Sequence, residues 1–100
     1  MARDPASSHA SASAQARVVN RQGLHARPVS MIVQMVSAFD AELSVRGPDG
    51  TVADGGSVFS LMTLAASQGA VLGLEGRGAD AEAVVEAVAA LVARGFDEER

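Results

Sequence analysis

His25 stands in the run Gly23-Leu24-His25-Ala26-Arg27-Pro28, in which each residue type has a physical use. An imidazole titrates near neutrality, so its neutral form is available in a cell as a nucleophile. Glycine at 23 lets the chain turn sharply, Leu24 can plug inward, and Pro28 suits a first helical turn because its missing N–H has no acceptor there. His25 is thereby placed over a helix start, where the first N–H groups lack internal acceptors and lie at the positive end of the dipole. The amides near Ala26 and Arg27 can bind phosphate oxygens, and Arg27 adds a guanidinium whose paired donors fit phosphate. The chemistry this permits is transfer of a phosphoryl group to a ring nitrogen of His25, its charge held but not locked. The residues alone leave a second reading open, in which His25 only caps the helix and Arg27 is a solvated charge.

Other chemistries find little material. The chain has no cysteine and two histidines, one of them His9 near the start, so neither a thiolate site nor a histidine-rich metal site is expected. No nucleophile and base are paired as an autonomous hydrolase requires, and no cofactor is expected. Net charge is −4, and the eight basic residues are all Arg, scattered without a cluster, which argues against a nucleic-acid surface. Apolar stretches are interrupted well before bilayer length, and no basic flank with an apolar core opens the chain. The chain is read as a soluble, cytoplasmic protein without membrane insertion.

The elements that must position His25 follow from patterning. Met1 to Ala14 is rich in Ala and Ser and is read as a disordered tail in which His9 has no role. Residues 15–96 form one domain, and 97–100 a C-terminal tail. Gln15 to Asn20 is a short strand candidate. After the Arg21-Gln22-Gly23 turn, Val29, Ile32, Val33, Val36 and Phe39 recur at the spacing of one buried helical face. Ala41 to Arg46 alternates as a half-buried strand, Gly47-Pro48-Asp49-Gly50 is a turn, and Thr51 to Ala53 returns as the hairpin partner. Ser57 is a candidate N-cap for a short helix carrying Val58, Leu61, Met62 and Leu64. Ala70 to Gly76 is the most continuous strand-like apolar run and is expected inside the sheet, with Gly73 marking a bulge or close approach. Asp80 can cap a last helix through Arg94, with Val84, Val85, Val88, Leu91 and Val92 inward and Glu82 and Glu86 outward. The order βαββαβα suits an α+β open-faced sandwich, one sheet covered on one side by helices.

Gly23 to Pro28, together with Asp54-Gly55-Gly56-Ser57-Val58-Phe59-Ser60-Leu61-Met62-Thr63-Leu64, resembles the two motifs of HPr, the histidine-containing phosphocarrier of the bacterial phosphoenolpyruvate-dependent phosphotransferase system. The resemblance runs from about Ala16 to Arg94. It implies a four-stranded antiparallel sheet with three helices, and a monomeric carrier, not an enzyme, that takes phosphate from enzyme I and gives it to IIA domains for sugar uptake or its regulation. It further implies phosphorylation on Nδ1 of His25 beside Arg27, and partner docking over Phe59 and Met62, with Ser30 and Val58 beside them. Ser57 matches a serine modified in some relatives by an HPr kinase/phosphorylase, although the same hydroxyl also serves as a helix cap.

Departures bear on partners. Gln34, Ser37, Gly56 and Ser60 stand where relatives often carry basic residues, so acidic partners are steered less strongly. Ala65 replaces a common glycine. Two alternatives accompany the carrier reading: a regulatory paralogue serving nitrogen or carbon control without a sugar permease, and an interaction module in which neither His25 nor Ser57 is phosphorylated.

Overall fold

The computed structural model describes residues 10–99; His9 and the remainder of 1–9 lie outside the described residues. Strand β1 spans Ser11–Arg17, helix α1 Ala26–Val36, β2 Glu42–Arg46, β3 Val52–Asp54, α2 Val58–Met62, β4 Val71–Arg77 and α3 Ala81–Ala93, followed by a 3₁₀ turn at Gly95–Asp97. The four strands form one antiparallel sheet in the order β1-β4-β2-β3. This is the expected open-faced arrangement.

Alternation decides which side of the sheet is covered. Ala16, Leu43, Val45, Ala53, Leu72 and Leu74 point to the buried side. On the other side Ser13, Gln15, Arg46, Glu75 and Arg77 face solvent. Helix α1 closes the covered side with Val29, Ile32 and Val36, and α3 with Val84, Val85, Val88, Leu91 and Val92. Helix α2 buries only Leu61 from its own span, and Leu64 just beyond it adds to the core.

Several expectations from sequence are corrected. The first strand begins at Ser11, inside the segment read as a tail, because β4 offers a full antiparallel edge from Val71 to Arg77 and pairs with β1 along its length. Backbone pairing satisfies a polar, small-residue strand that has little to bury on its own. Phe39 is not part of α1. The helix ends at Val36, and N–H groups of Ser37, Ala38 and Phe39 close a tightened turn that lays Phe39 against the core margin.

Gly73 marks no bulge. It pairs in register with Gln15 on one side and Arg46 on the other, and a Cβ there would make only ordinary contact. The close approach is at Gly76, where a Cβ would lie 2.6 Å from the Ala81 carbonyl oxygen at the start of α3. Asp80 occupies the N-cap position of α3 but makes no capping bond. Its Oδ2 instead accepts from the Asp40 backbone N–H at 2.7 Å, tying α3 to the turn after α1.

The largest correction is at the C-terminus. The sequence reads 97–100 as a tail, yet Glu98, two residues beyond the fully buried Phe96 that ends the expected domain, turns back onto the start of α1. The backbone carbonyl of Glu99 accepts from the Arg21 N–H at 3.1 Å. Through Glu99 the segment is therefore part of the folded unit. A large apolar side chain just past the α3 glycine anchors it.

Candidate functional site

His25 occupies the N-cap position of α1 in extended backbone, φ −114° and ψ −172°. Its carbonyl accepts from Val29 N–H at 3.1 Å and so closes the first helical turn. Pro28, in that turn, has no N–H to satisfy. The N–H groups of Ala26 and Arg27 have no acceptor among the described residues, and they lie where the helix dipole favours an anion.

The turn before His25 is fixed by contacts on two sides. Gly23 has φ +69°, and a Cβ there would sit 2.5 Å from the Ala66 carbonyl oxygen, so both backbone angle and space require glycine. That same oxygen accepts from Leu24 N–H at 3.0 Å, so the loop after α2 buttresses the turn. On the inner side Asn20 is completely buried and donates Nδ2–H to the Gly23 carbonyl at 2.8 Å.

Three side chains converge on Glu98. Its Oε1 lies 3.0 Å from His25 Nε2 and accepts from Asn20 Nδ2 at 3.1 Å; its Oε2 accepts from Arg27 at 2.9 Å. The same Arg27 nitrogen also reaches the Phe96 carbonyl at 3.3 Å. The hydrogen bond from His25 holds the Glu98 carboxyl below the usual carboxylate range; partial burial opposes this, and the bonds from Arg27 and Asn20 add to it. The side chain of His25 remains 34% exposed, enough for a partner to reach the ring.

The residues singled out in the sequence are distributed as follows. His25, Ala26 and Arg27 share the α1 start. Ser30 is exposed on α1. Ser57 is the N-cap of α2, its Oγ accepting from Ser60 N–H at 3.1 Å. Val58, Phe59 and Met62 are exposed on α2, Phe59 to 84%. Helix α2 packs against α1, which sets the apolar patch and the histidine on neighbouring elements. Sequence reasoning missed Asn20 and Glu98. The signal available for Glu98 was Phe96, a large apolar residue at the very end of the expected domain and two positions before Glu98; Asn20 carried none beyond its place beside the turn.

Among the described residues no group of His, Cys, Asp and Glu is placed to hold a metal ion, and no helix is long and apolar enough to cross a membrane.

Comparison with known proteins places this geometry. Residues 12–94 match the family model described as the PTS HPr component phosphorylation site. The phosphocarrier protein NPr of Escherichia coli K12 is 37% identical over 82 residues, spanning 82% of this chain and 91% of that protein. The crystal structure of HPr-C-His from Thermoanaerobacter tengcongensis superposes with a TM-score of 0.82 at 32% identity, covering 89% of this chain and 99% of the other. The phosphocarrier protein HPr of Bacillus anthracis superposes with a TM-score of 0.77, also at 32% identity, over 83% and 98% of the two chains.

Proposed function

The chain belongs to the HPr family of phosphotransferase-system phosphocarriers, and we propose that its carrier group is the imidazole of His25, loaded by phosphorylated enzyme I and unloaded to a IIA domain in the cytoplasm. The observation that carries this reading is the position of the His25 ring at the N-terminus of α1, partly exposed, beside the free amides of Ala26 and Arg27 and the Arg27 guanidinium. Proteins of this family are carriers and not enzymes.

The lone pair of Nδ1, the ring nitrogen not engaged by Glu98, attacks the donor phosphorus. A nitrogen–phosphorus bond forms as the bond from phosphorus to the donor breaks, and the donor keeps its electron pair. Phosphate oxygens are then held by N–H donors that need no reorganisation, since the helix has already aimed them. Exposure of the ring leaves the group free to move on. Handoff is the same displacement in reverse.

Docking falls to the exposed apolar patch of Val58, Phe59 and Met62, with Ser30 on the neighbouring helix. Met is adaptable, which suits a carrier serving more than one partner. Ser57 is a secondary candidate for modification by an HPr kinase/phosphorylase, because its hydroxyl stands at the same surface. Incubation with such a kinase and ATP, followed by phosphosite mapping, tests it.

A regulatory role, in nitrogen or carbon control, is favoured over bulk sugar uptake by the similarity to NPr and by the absence of lysine from the chain. Acid-labile phosphate incorporated from phosphoenolpyruvate and enzyme I, and lost in His25→Ala, tests the carrier reading. Transfer onward to a sugar-permease IIA compared with a regulatory IIA separates the two roles.

A further inference from the structure

The described arginines divide into two kinds. Arg21, Arg27, Arg77 and Arg94 each have a carboxylate within ion-pair distance. Arg17 and Arg46 have none among the described residues. Their guanidiniums are held by backbone carbonyls instead, Arg17 by that of Gly69 at 3.0 Å and Arg46 by that of Gly50 at 3.2 Å. The acidic residue of that hairpin, Asp49, is turned to the Thr51 N–H at 3.0 Å. A carbonyl orients a guanidinium and leaves its charge uncompensated.

Both arginines stand on the open face of the sheet, at the same end. Arg17 of β1 pairs with Val71 of β4, and Arg46 of β2 pairs with Gly73 of β4 and Val52 of β3. Val71 and Val52 are exposed beside them. The carboxylates of this face, Glu42, Asp54 and Glu75, lie toward the other end, where Arg77 pairs with Glu42 and Glu75.

Between the two arginines is a glycine that the fold does not require. Gly73 is not in left-handed backbone, and a Cβ there would meet only the Arg46 Cβ, at an ordinary 3.5 Å. Glycine weakens a strand interior, and there it often marks a close approach by a ligand or another backbone. Here it leaves the floor of a shallow cavity of about 500 Å³, walled by Gln15, Arg46, Val52 and Glu75.

We propose that this end of the open face binds an extended acidic segment of a partner protein, with Arg17 and Arg46 each taking one carboxylate and the segment crossing β4 at Gly73. Two strand spacings of about 4.8 Å and two residues of about 3.3 Å set the two arginine backbones roughly 12 Å apart. In an extended segment, residues i and i+4 are about 13 Å apart and share one face with i+2. Acidic side chains at i and i+4 thus reach the two guanidiniums, while an apolar one at i+2 lies against Val71 and the gap at Gly73. Nucleic acid fits less well, because the face carries no aromatic ring on which a base could stack and its far end is acidic. The helices cover the opposite side of the sheet, so a segment held here leaves His25 uncovered. The inference is independent of the carrier reading.

The test titrates the full chain at low salt with the peptide acetyl-Ser-Glu-Ser-Val-Ser-Glu-Ser-amide, followed by amide ¹⁵N and ¹H shifts. Saturating shifts are expected at Arg17, Val71, Gly73 and Arg46, with His25 and Phe59 unmoved. A control of the same composition with adjacent glutamates, acetyl-Ser-Glu-Glu-Val-Ser-Ser-Ser-amide, is expected to bind roughly fivefold more weakly, since it reaches one arginine only. Arg17→Gln and Arg46→Gln are each expected to weaken the first peptide by about the same factor. Gly73→Val keeps both arginines, suits a strand, and is expected to weaken binding at least as much by filling the gap.

Absence of saturating shifts on this face would overturn the proposal, a result that needs no variant to fold. Equal binding of the two peptides, or undiminished binding in both arginine variants, would do the same. Tighter binding of an oligothymidylate than of the peptide at these residues would make the surface one for nucleic acid and would also overturn it.

Discussion

Nε2 of His25 and Oε1 of Glu98 lie 3.0 Å apart although the two residues are 73 positions apart in sequence. The contact joins the start of α1 to the chain end beyond α3. Formation of the site is thereby coupled to completion of the fold.

This pair makes stability depend on acid. The folded-state pKa of Glu98 lies below its ordinary value of 4.5. In that case the unfolded chain binds more protons than the folded one over the intervening range, and stability rises with pH there. The contribution is present above the ordinary value and lost as pH falls through the folded one. Glu98→Gln is expected to flatten the decline of Tm on the acid side, measured by thermal unfolding between pH 6 and pH 3. An unchanged slope would show that the pair does not titrate as described.

Ala65 has φ +51° and is exposed, a conformation in which a Cβ is strained. Ala65→Gly relieves that strain but adds freedom to the unfolded chain. The balance is an expected gain of roughly 0.5–1 kcal/mol in urea unfolding, since relief of about 1–2 kcal/mol exceeds an entropic loss of about 0.4–1 kcal/mol.

Gly23 is the opposite case. Gly23→Ala would combine positive φ with a Cβ 2.5 Å from the Ala66 carbonyl oxygen. A loss of at least about 2 kcal/mol is expected. The same substitution is expected to slow phosphoryl uptake, because the loop that must yield also carries the Leu24 hydrogen bond.

On α2 the roles of neighbouring residues separate. Ser57→Ala removes the cap to Ser60 N–H and is expected to cost about 1 kcal/mol in stability with uptake on His25 unchanged. Phe59→Ala, at an 84% exposed position, is expected to leave stability within about 0.5 kcal/mol while raising KM for transfer to a IIA domain more than it lowers kcat.

Much of this was legible in local pattern. The period of Val29, Ile32 and Val36 marked the covered face of α1, and Gly47 to Gly50 marked the hairpin. Ser57 was readable as a cap because capping is decided within four residues. What escaped depends on long-range pairing or on a change of backbone hand. Ser11–Ala14 become strand only because β4 runs opposite them. Glu98 becomes part of the site only because Gly95, Phe96 and Asp97 turn it around in left-handed backbone, a geometry that Phe and Asp do not advertise. Gly73 and Gly76 look alike in sequence, and only the packing of α3 over β4 separates a tolerated glycine from a required one.

The central claim is that His25 carries the phosphoryl group. Phosphoenolpyruvate and enzyme I are incubated with the full chain, and the product is mapped by mass spectrometry and ³¹P NMR. One acid-labile phosphate on Nδ1 of His25, absent from His25→Ala, is the predicted result; no incorporation, or incorporation that survives in His25→Ala, would contradict it.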